Sequence, residues 1–173
     1  MKVVLETQRL VLREMAAADL DFVAAMLADP EVMNFYPKAL SRLEASAWID
    51  RQLSRYSEHG HGLWLALDRA TGQPVGQAGL AIQVVNGKPE PEIGYLLHRP
   101  FWHRGLATEA GLGIRHHAFT ALNKSYVISL IRPVNLPSQA VARRLGMQPQ
   151  REVQFHGLPH IVFLVTRETE RGA

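Results

Sequence analysis

Cysteine is absent from the 173 residues. That excludes disulfides, thiolate metal sites and a thiol nucleophile, and with them any group transfer through a protein thioester. Long apolar runs are missing too. No stretch approaches the roughly 20 residues that span a bilayer, and the opening residues lack a basic segment followed by an apolar stretch and a cleavage site, so no membrane contact and a cytoplasmic location are expected. Nor is there a Gly-x-Ser-x-Gly elbow, a Walker loop, or a dinucleotide Gly-x-Gly-x-x-Gly after a strand, which leaves hydrolase, NTPase and dehydrogenase readings without support. Of the eight histidines, His59 with His61 and His156 with His160 come nearest to ligand spacing. Neither pair repeats a zinc-helix pattern and no carboxylate sits at the right offset. Surface or capping histidines, and no metal, are expected.

What remains has the composition of an ordinary globular domain. Hydrophobic residues make up 47% and charged residues 20% of the chain, enough apolar material for one core without metal or disulfide staples. A single domain over residues 1–173 is expected, because no linker, repeat or low-complexity stretch interrupts the pattern. The formal charge is +3 and the pI about 9.5. That balance favours anionic ligands, yet the basic residues are dispersed among acidic ones, and no RNA or DNA motif is present, which argues against nucleic acid as a partner.

Periodicity predicts the elements. Arg9 to Glu14 alternates apolar and polar residues, as a half-buried strand does. Leu20, Val23, Ala24 and Leu27 recur at helical spacing from Ala18 until Asp29-Pro30 stops the run. Ser41-Arg42-Leu43-Glu44 has the form of a capping box, opening a helix that ends near His59-Gly60. Leu63 to Asp68, Val75 to Val85 and Glu92 to Leu97 are rich in strand-forming residues and joined by turns at Thr71-Gly72 and Asn86-Gly87, an antiparallel meander. Helix is predicted over Gly105 to Leu122 and Pro137 to Leu145, a buried strand at Tyr126 to Ile131, and closing strands at Arg151 to Phe155 and Ile161 to Thr166. The unit from Glu92 to Ile131 predicts two parallel neighbours with a right-handed crossover. Ligands collect at the carboxyl ends of such strands, which directs attention to Leu97, Gly105 and Pro133.

Between the first of those strands and its helix runs His103-Arg104-Gly105-Leu106-Ala107-Thr108. A Gly turn at a helix start aims free backbone N–H groups and the positive end of the dipole at one point, where a phosphate can sit. A phosphorylated cofactor is expected there. An ordinary Gly-containing loop before a helix is the alternative.

The element order and the motifs in it resemble the GNAT superfamily of acyl-CoA-dependent N-acetyltransferases, and within it the branch of ribosomal-protein N-terminal acetyltransferases. Leu5-Glu6-Thr7-Gln8-Arg9-Leu10-Val11-Leu12-Arg13 is similar to that branch's first strand and Asp29-Pro30-Glu31-Val32 to its first inter-helix loop. Glu92-Ile93-Gly94-Tyr95 with Phe101-Trp102-His103-Arg104-Gly105-Leu106-Ala107-Thr108-Glu109-Ala110 is similar to its cofactor segment. Asn135-Leu136-Pro137-Ser138 through Arg144-Leu145-Gly146-Met147 is similar to its late helix. The fold so implied is a mixed α/β domain: a mostly antiparallel twisted sheet with two splayed parallel strands, flanked by about four helices. The cosubstrate implied is acetyl-CoA, with no metal, and the reaction is transfer to a primary amine of a protein N-terminus or a small molecule. A homodimer is left open. Two positions depart from common patterns: Trp102 stands where many members have Gln or Arg, and Ala142 stands seven residues after Asn135, where a Tyr often serves as the acid.

For an enzyme of this kind, the backbone of His103, Arg104, Gly105, Leu106, Ala107 and Thr108 is the expected pyrophosphate cradle, with a charge-assisted contact from Arg104. Asn135 is expected to orient the cofactor's amide arm, and the resemblance implies an oxyanion donor in the backbone N–H near Leu97. Glu92 is the candidate base, acting through a water, or else a solvated strand-edge carboxylate or salt-bridge partner. Ser138 is the candidate proton donor to the thiolate, or else a helix cap. A free α-amino group, with a pKa of about 7.7 to 8.0, is neutral often enough at pH 7 to need little help, whereas a Lys side chain near 10.4 is not. Asn34, Phe35, Tyr36 and Trp48 fall where acceptor selection is expected, Trp48 being equally suited to the core. The rival reading is an acyl-CoA-binding regulatory module without catalysis, prompted by Ala142.

Overall fold

The computed structural model describes residues 2–168. It opens with a hairpin of β1 (Val3–Glu6) and β2 (Leu10–Arg13). The strand expected over Arg9 to Glu14 is β2. Its partner β1 was not expected, because Val3-Val4-Leu5 is too short a run to show a period. Helices α1 (Leu20–Ala28) and α2 (Arg42–His59) follow. Asp29 leaves α1 with extended geometry, as a residue before Pro must. The reciprocal cap of α2 is formed as the sequence predicts: Ser41 Oγ accepts from Glu44 N at 3.3 Å, and Glu44 accepts from Ser41 N at 2.8 Å. Gly60, at φ +74°, closes the helix.

The meander is β3 (Leu63–Asp68), β4 (Pro74–Val85) and β5 (Lys88–Leu97). Asn86 and Gly87 both have positive φ, 49° and 79°, the geometry of a two-residue turn that matches strand twist. Strand β5 begins four residues before Glu92, where the sequence reading began it, and so runs through Pro89 and Pro91. His98 N donates to Val75 O at 3.0 Å, and the register between β4 and β5 runs without a shift. Counting back in twos puts the nitrogens of both prolines on the edge away from β4, where no donor is needed.

The rest of the chain is α3 (Leu106–Thr120), β6 (Tyr126–Ile131), α4 (Leu136–Arg144), β7 (Gln148–Phe155) and β8 (Leu158–Thr166). All eight strands form one sheet in the order β1-β2-β3-β4-β5-β6-β8-β7. Every neighbouring pair is antiparallel except β5 and β6, which are parallel and paired at a single position, Glu92 opposite Ile128. Beyond that pair the two strands separate.

Strand alternation sorts the side chains onto two faces, each with its own core. Leu10, Trp64, Ile93, Leu97, Val127 and Phe163 pack against Leu106, Ala110, Ile114 and Phe119 of α3 and Ala142 of α4. On the other face Leu65 packs with Val23, Met26 and Leu27 of α1 and Ala45 and Ile49 of α2. The glycines of α3 permit close approach. A Cβ on Gly111 would stand 2.7 Å from Leu145 Cδ1, and one on Gly113 would stand 2.9 Å from Thr7 Cγ2. Among the described residues no helix is long and apolar enough to cross a membrane.

Candidate active site

The parting of β5 and β6 is held open by side chains that take over the missing ladder bonds. Ser129 Oγ donates to Ile93 O at 2.8 Å, and Leu130 N donates to Glu92 Oε1 at 3.3 Å. Trp102 Nε1 donates to Leu97 O at 2.7 Å. Trp102, where the sequence departs from the common pattern, thus satisfies the strand's last carbonyl. Leu97 stands opposite Gly76, and the bond from His98 N to Val75 O turns the N–H of Leu97 the other way, into the gap.

At the mouth of that gap lies the start of α3. Gly105, at φ +75°, is its N-cap and offers no side chain to the first turn, so the N–H groups of Leu106, Ala107 and Thr108 point outward unclaimed by a cap. His103 also has a positive φ, 57°. His103, Arg104 and Gly105 are exposed, while the Leu106 side chain is 2% exposed and anchors the turn in the core. A Cβ on Gly105 would meet nothing closer than Arg9 Nη2, at 3.5 Å. This open ring of main-chain donors fits a pyrophosphate.

Three residues that the sequence reading left unassigned set the charge there. Glu109 sits in the first turn of α3, where a bare carboxylate would oppose a bound phosphate. It is fully engaged: Thr7 Oγ1 and Arg9 N donate to Oε1 at 2.6 and 2.7 Å, and Arg9 Nε donates to Oε2 at 2.6 Å. Burial tends to raise its pKa, but the bonds from Thr7 and Arg9 outweigh that and hold it below the ordinary value. Arg9 Nη1 also donates to Arg104 O at 2.9 Å, which ties the loop to the β1–β2 turn. No local pattern reveals a contact a hundred positions long.

At α4 the structure divides two tasks that the sequence left shared. Asn135 is the cap, its Oδ1 accepting from Ser138 N at 3.1 Å. The Ser138 hydroxyl therefore has no capping bond and no other partner among the described residues. Tyr95 OH donates to Ser138 O at 2.8 Å and so joins the end of β5 to the first turn of α4. Ala142 is fully buried.

Glu92 lies mid-strand and half-buried on the α1/α2 face. Gln83 Nε2 donates to Oε2 at 2.8 Å. Desolvation raises its pKa above the ordinary carboxylate value, opposed by the bonds from Gln83 and Leu130 and by the charge of Arg55. Tyr36 and Tyr95 both feel the charge of Glu92. Desolvation, with that charge, pushes the Tyr36 pKa up to about 12. Tyr95 and Ser138 are thus joined on the α3/α4 side of the strands, and Glu92 lies on the other side, near enough for its charge to act on Tyr36 and Tyr95. Phe35 is half-buried and Asn34 exposed. Trp48 belongs to the α1/α2 core, its Nε1 donating to the buried Gln77 Oε1 at 2.9 Å. Among the described residues no group of three or more His, Asp or Glu is placed to hold a metal ion.

Known proteins match this chain in sequence and in fold. The family model described as Acetyltransferase (GNAT) domain matches residues 9–148. The protein YkkB of Bacillus subtilis is 29% identical over 94% of this chain and 95% of its own. The crystal structure of an acetyltransferase from Agrobacterium tumefaciens superposes with a TM-score of 0.82 at 28% identity, covering 94% of each chain. RimL, a ribosomal alpha-N-protein acetyltransferase solved in complex with coenzyme A, superposes with a TM-score of 0.79 over 95% of this chain and 98% of its own. At 15% identity it shares the fold.

Proposed function

This chain belongs to the GNAT acetyltransferase family, and from that premise we propose that it moves an acetyl group from acetyl-CoA to a primary amine, of a protein N-terminus or a small molecule, by direct attack with both reactants bound. The observation that carries this reading is the gap itself: β5 and β6 part after Glu92 and Ile128, and the open N-terminus of α3 stands at its mouth. His103, Arg104, Gly105, Leu106, Ala107 and Thr108 would hold the pyrophosphate through main-chain N–H groups and the Arg104 cation. Asn135 would hold the amide arm through the amide hydrogens that capping leaves free. The thioester of acetyl-CoA supplies the activated acyl group.

The remaining chemistry falls to this chain's side chains and backbone. Glu92 takes the proton from the amine, directly or through one water. Two of its lone-pair sites are filled by Gln83 and Leu130, which fixes its orientation and leaves others open. Its raised pKa brings it closer to the working pH, where a general base is most effective. The N–H of Leu97 faces the gap and donates to the carbonyl oxygen as negative charge grows there. Ser138 Oγ, released from capping, passes its proton to the departing sulfur, and the proton that Glu92 took from the amine returns to the serine through water, so that the thiol leaves and both side chains are restored.

The rival reading, a CoA-binding module without turnover, draws on the buried alanine at position 142. Calorimetry with acetyl-CoA, paired with thiol release over a panel of peptide N-termini and small amines, separates the two. Binding with turnover is expected; binding without turnover on any acceptor selects the module, and absence of binding removes both.

A further inference from the structure

The α1/α2 side of the gap carries two guanidinium groups that the fold does not use. Because the side chain of Glu92 faces that side, so do the positions around it: Gly94 and Leu96 on β5, Ala81 and Gln83 on β4 and Leu130 on β6, with Arg132 one residue past the end of β6. Arg55 approaches from α2. A Cβ on Gly62 would stand 3.3 Å from Arg55 Cβ, and one on Gly94 would stand 3.2 Å from Leu63 Cδ2, so the end of α2 lies over the start of β3 and next to Gly94 and Glu92. Arg55 and Glu92 act on each other electrostatically without touching. Across the gap, Arg132 reaches toward the loop after α1, with only a 3.5 Å contact from Nη1 to Phe35 O.

Among the described residues neither cation has a carboxylate within hydrogen-bond or ion-pair distance. Arg55 is half-buried, and its one hydrogen bond among the described residues is a long one, 3.4 Å to Gln52 Oε1. Arg132 is half-buried as well, and its Nε is buried with no partner. The contrast with Arg13 is instructive. That residue is 9% exposed, and Asp19 meets both of its terminal nitrogens, at 2.8 and 2.6 Å. Asp19 there supplies the anion that Arg55 and Arg132 lack. Desolvating Arg55 and Arg132 without an anion is unfavourable for folding alone.

Resting on the transferase reading above, we propose that the acceptor is an amine carrying a carboxylate on the same molecule: the ammonium end is drawn to Glu92, and the carboxylate is received by Arg55 and Arg132. Guanidinium groups suit a carboxylate because their paired N–H donors match its two oxygens. The arrangement also fixes direction. An acceptor held at both ends presents its nitrogen to the gap, and a polycation lacking an anionic group is repelled by the two arginines.

The test is an initial-rate comparison on the full chain with acetyl-CoA, by thiol release, of free α-amino acids against their carboxamides. Rates are referred to the concentration of neutral amine, because the two amines differ in pKa. A second arm compares peptides with aspartate or asparagine after the N-terminal residue. The free carboxylate is expected to raise kcat/KM by about 10-fold to 100-fold over the amide, the range of a charge-assisted contact. Arg55→Gln and Arg132→Gln are each expected to pull that ratio toward one through KM. A preference in the free amino acids identifies a small acceptor, and one confined to acidic peptides identifies a chain terminus; both support the recognition. Turnover of amides at a ratio of one or below in the unaltered protein overturns the proposal while the transferase reading stands, and this result needs no variant to fold. Absence of turnover on every amine, with acetyl-CoA bound, overturns the transferase reading and this proposal with it.

Discussion

The two sides of the parted strands are built from different material. On the α3 side the donors are main-chain N–H groups, set by one left-handed glycine and a buried leucine, Gly105 and Leu106. On the α1/α2 side the polar groups are side chains drawn from separate segments: Tyr36, Arg55, Gln83, Glu92 and Arg132. A backbone cradle suits a ligand whose contacted part never changes, because almost any side chain preserves it provided the turn can form. A side-chain pocket can change its ligand by single substitutions without disturbing the sheet. The fold therefore separates what must stay constant from what can vary. Substitutions on the two sides should differ in kind, affinity for the cofactor failing on one and rate or acceptor choice on the other.

The largest effect expected is that of Gly105→Glu. A residue with a Cβ at φ +75° costs about 1–2 kcal/mol, and a carboxylate at the phosphate seat removes charge-assisted contacts of about 1.5–3 kcal/mol. Together these predict roughly a 1,000-fold loss of acetyl-CoA affinity by calorimetry. Unchanged affinity would locate the cofactor elsewhere. On the opposite side, Glu92→Gln is expected to lower kcat on the order of 100-fold, the lower range for a general base, with affinity for acetyl-CoA retained.

Glu92→Gln also tests the raised pKa through stability. A carboxyl raised by burial favours the fold only while protonated. That contribution is full below the unfolded value of about 4.3 and is lost as pH rises through the folded value, so the charged Glu92 weakens the native state at neutral pH. The glutamine variant should melt higher than the parent at pH 8 and together with it below about pH 4. The acidic limb of the parent's kcat profile should lie above the ordinary carboxylate range and vanish in the variant. A limb that persists would assign the base to another group.

How far the sequence revealed this molecule follows the same division. The cap of α2, the turn at Asn86-Gly87 and the Gly105 loop were legible because each is a local pattern whose cause lies within a few residues. Strand β1 was hidden, since three apolar residues have no period, and the start of β5 was hidden because Pro89 and Pro91 look like a strand's end until their nitrogens are seen to face away from β4, where no donor is needed. Glu92 and Ser138 were singled out by residue type and motif, but the bond from Tyr95 to the first turn of α4 was not, being a matter of how β5 and α4 pack. Arg55 looks like any cation on an amphipathic helix, and Arg132 like any loop cation. Only the absence of a paired carboxylate among the described residues sets them apart.

Ser138 and Asn135 offer a finer test. Ser138→Ala is expected to slow turnover about 10-fold, within the range of a lost hydrogen bond at a charged group, while the melting temperature holds, because the cap of α4 is Asn135. Asn135→Ala should lower stability by about 1 kcal/mol, the usual value of a lost N-cap. If Ser138→Ala lowers the melting temperature as much as Asn135→Ala, the serine shares the capping and its part in proton transfer falls away.

The smallest effect is the one that crosses the division. Arg9 is a side chain serving the backbone cradle: it neutralises Glu109 and holds Arg104 O. Arg9→Ala leaves Glu109 as a carboxylate in the first turn of α3, opposing the dipole's attraction for phosphate. The Arg9 side chain is 47% exposed, so solvent screens much of this, and a loss of roughly 3-fold to 10-fold in acetyl-CoA affinity is expected at about 0.05 M salt, shrinking toward none at about 1 M. Adding Glu109→Gln to Arg9→Ala removes the uncompensated charge and should return most of the affinity. If it does not, Arg9 acts through the shape of the loop at Arg104. The cradle would then depend on a distant side chain for its geometry as well as its charge, and the contrast between the two sides would hold only for the donors themselves.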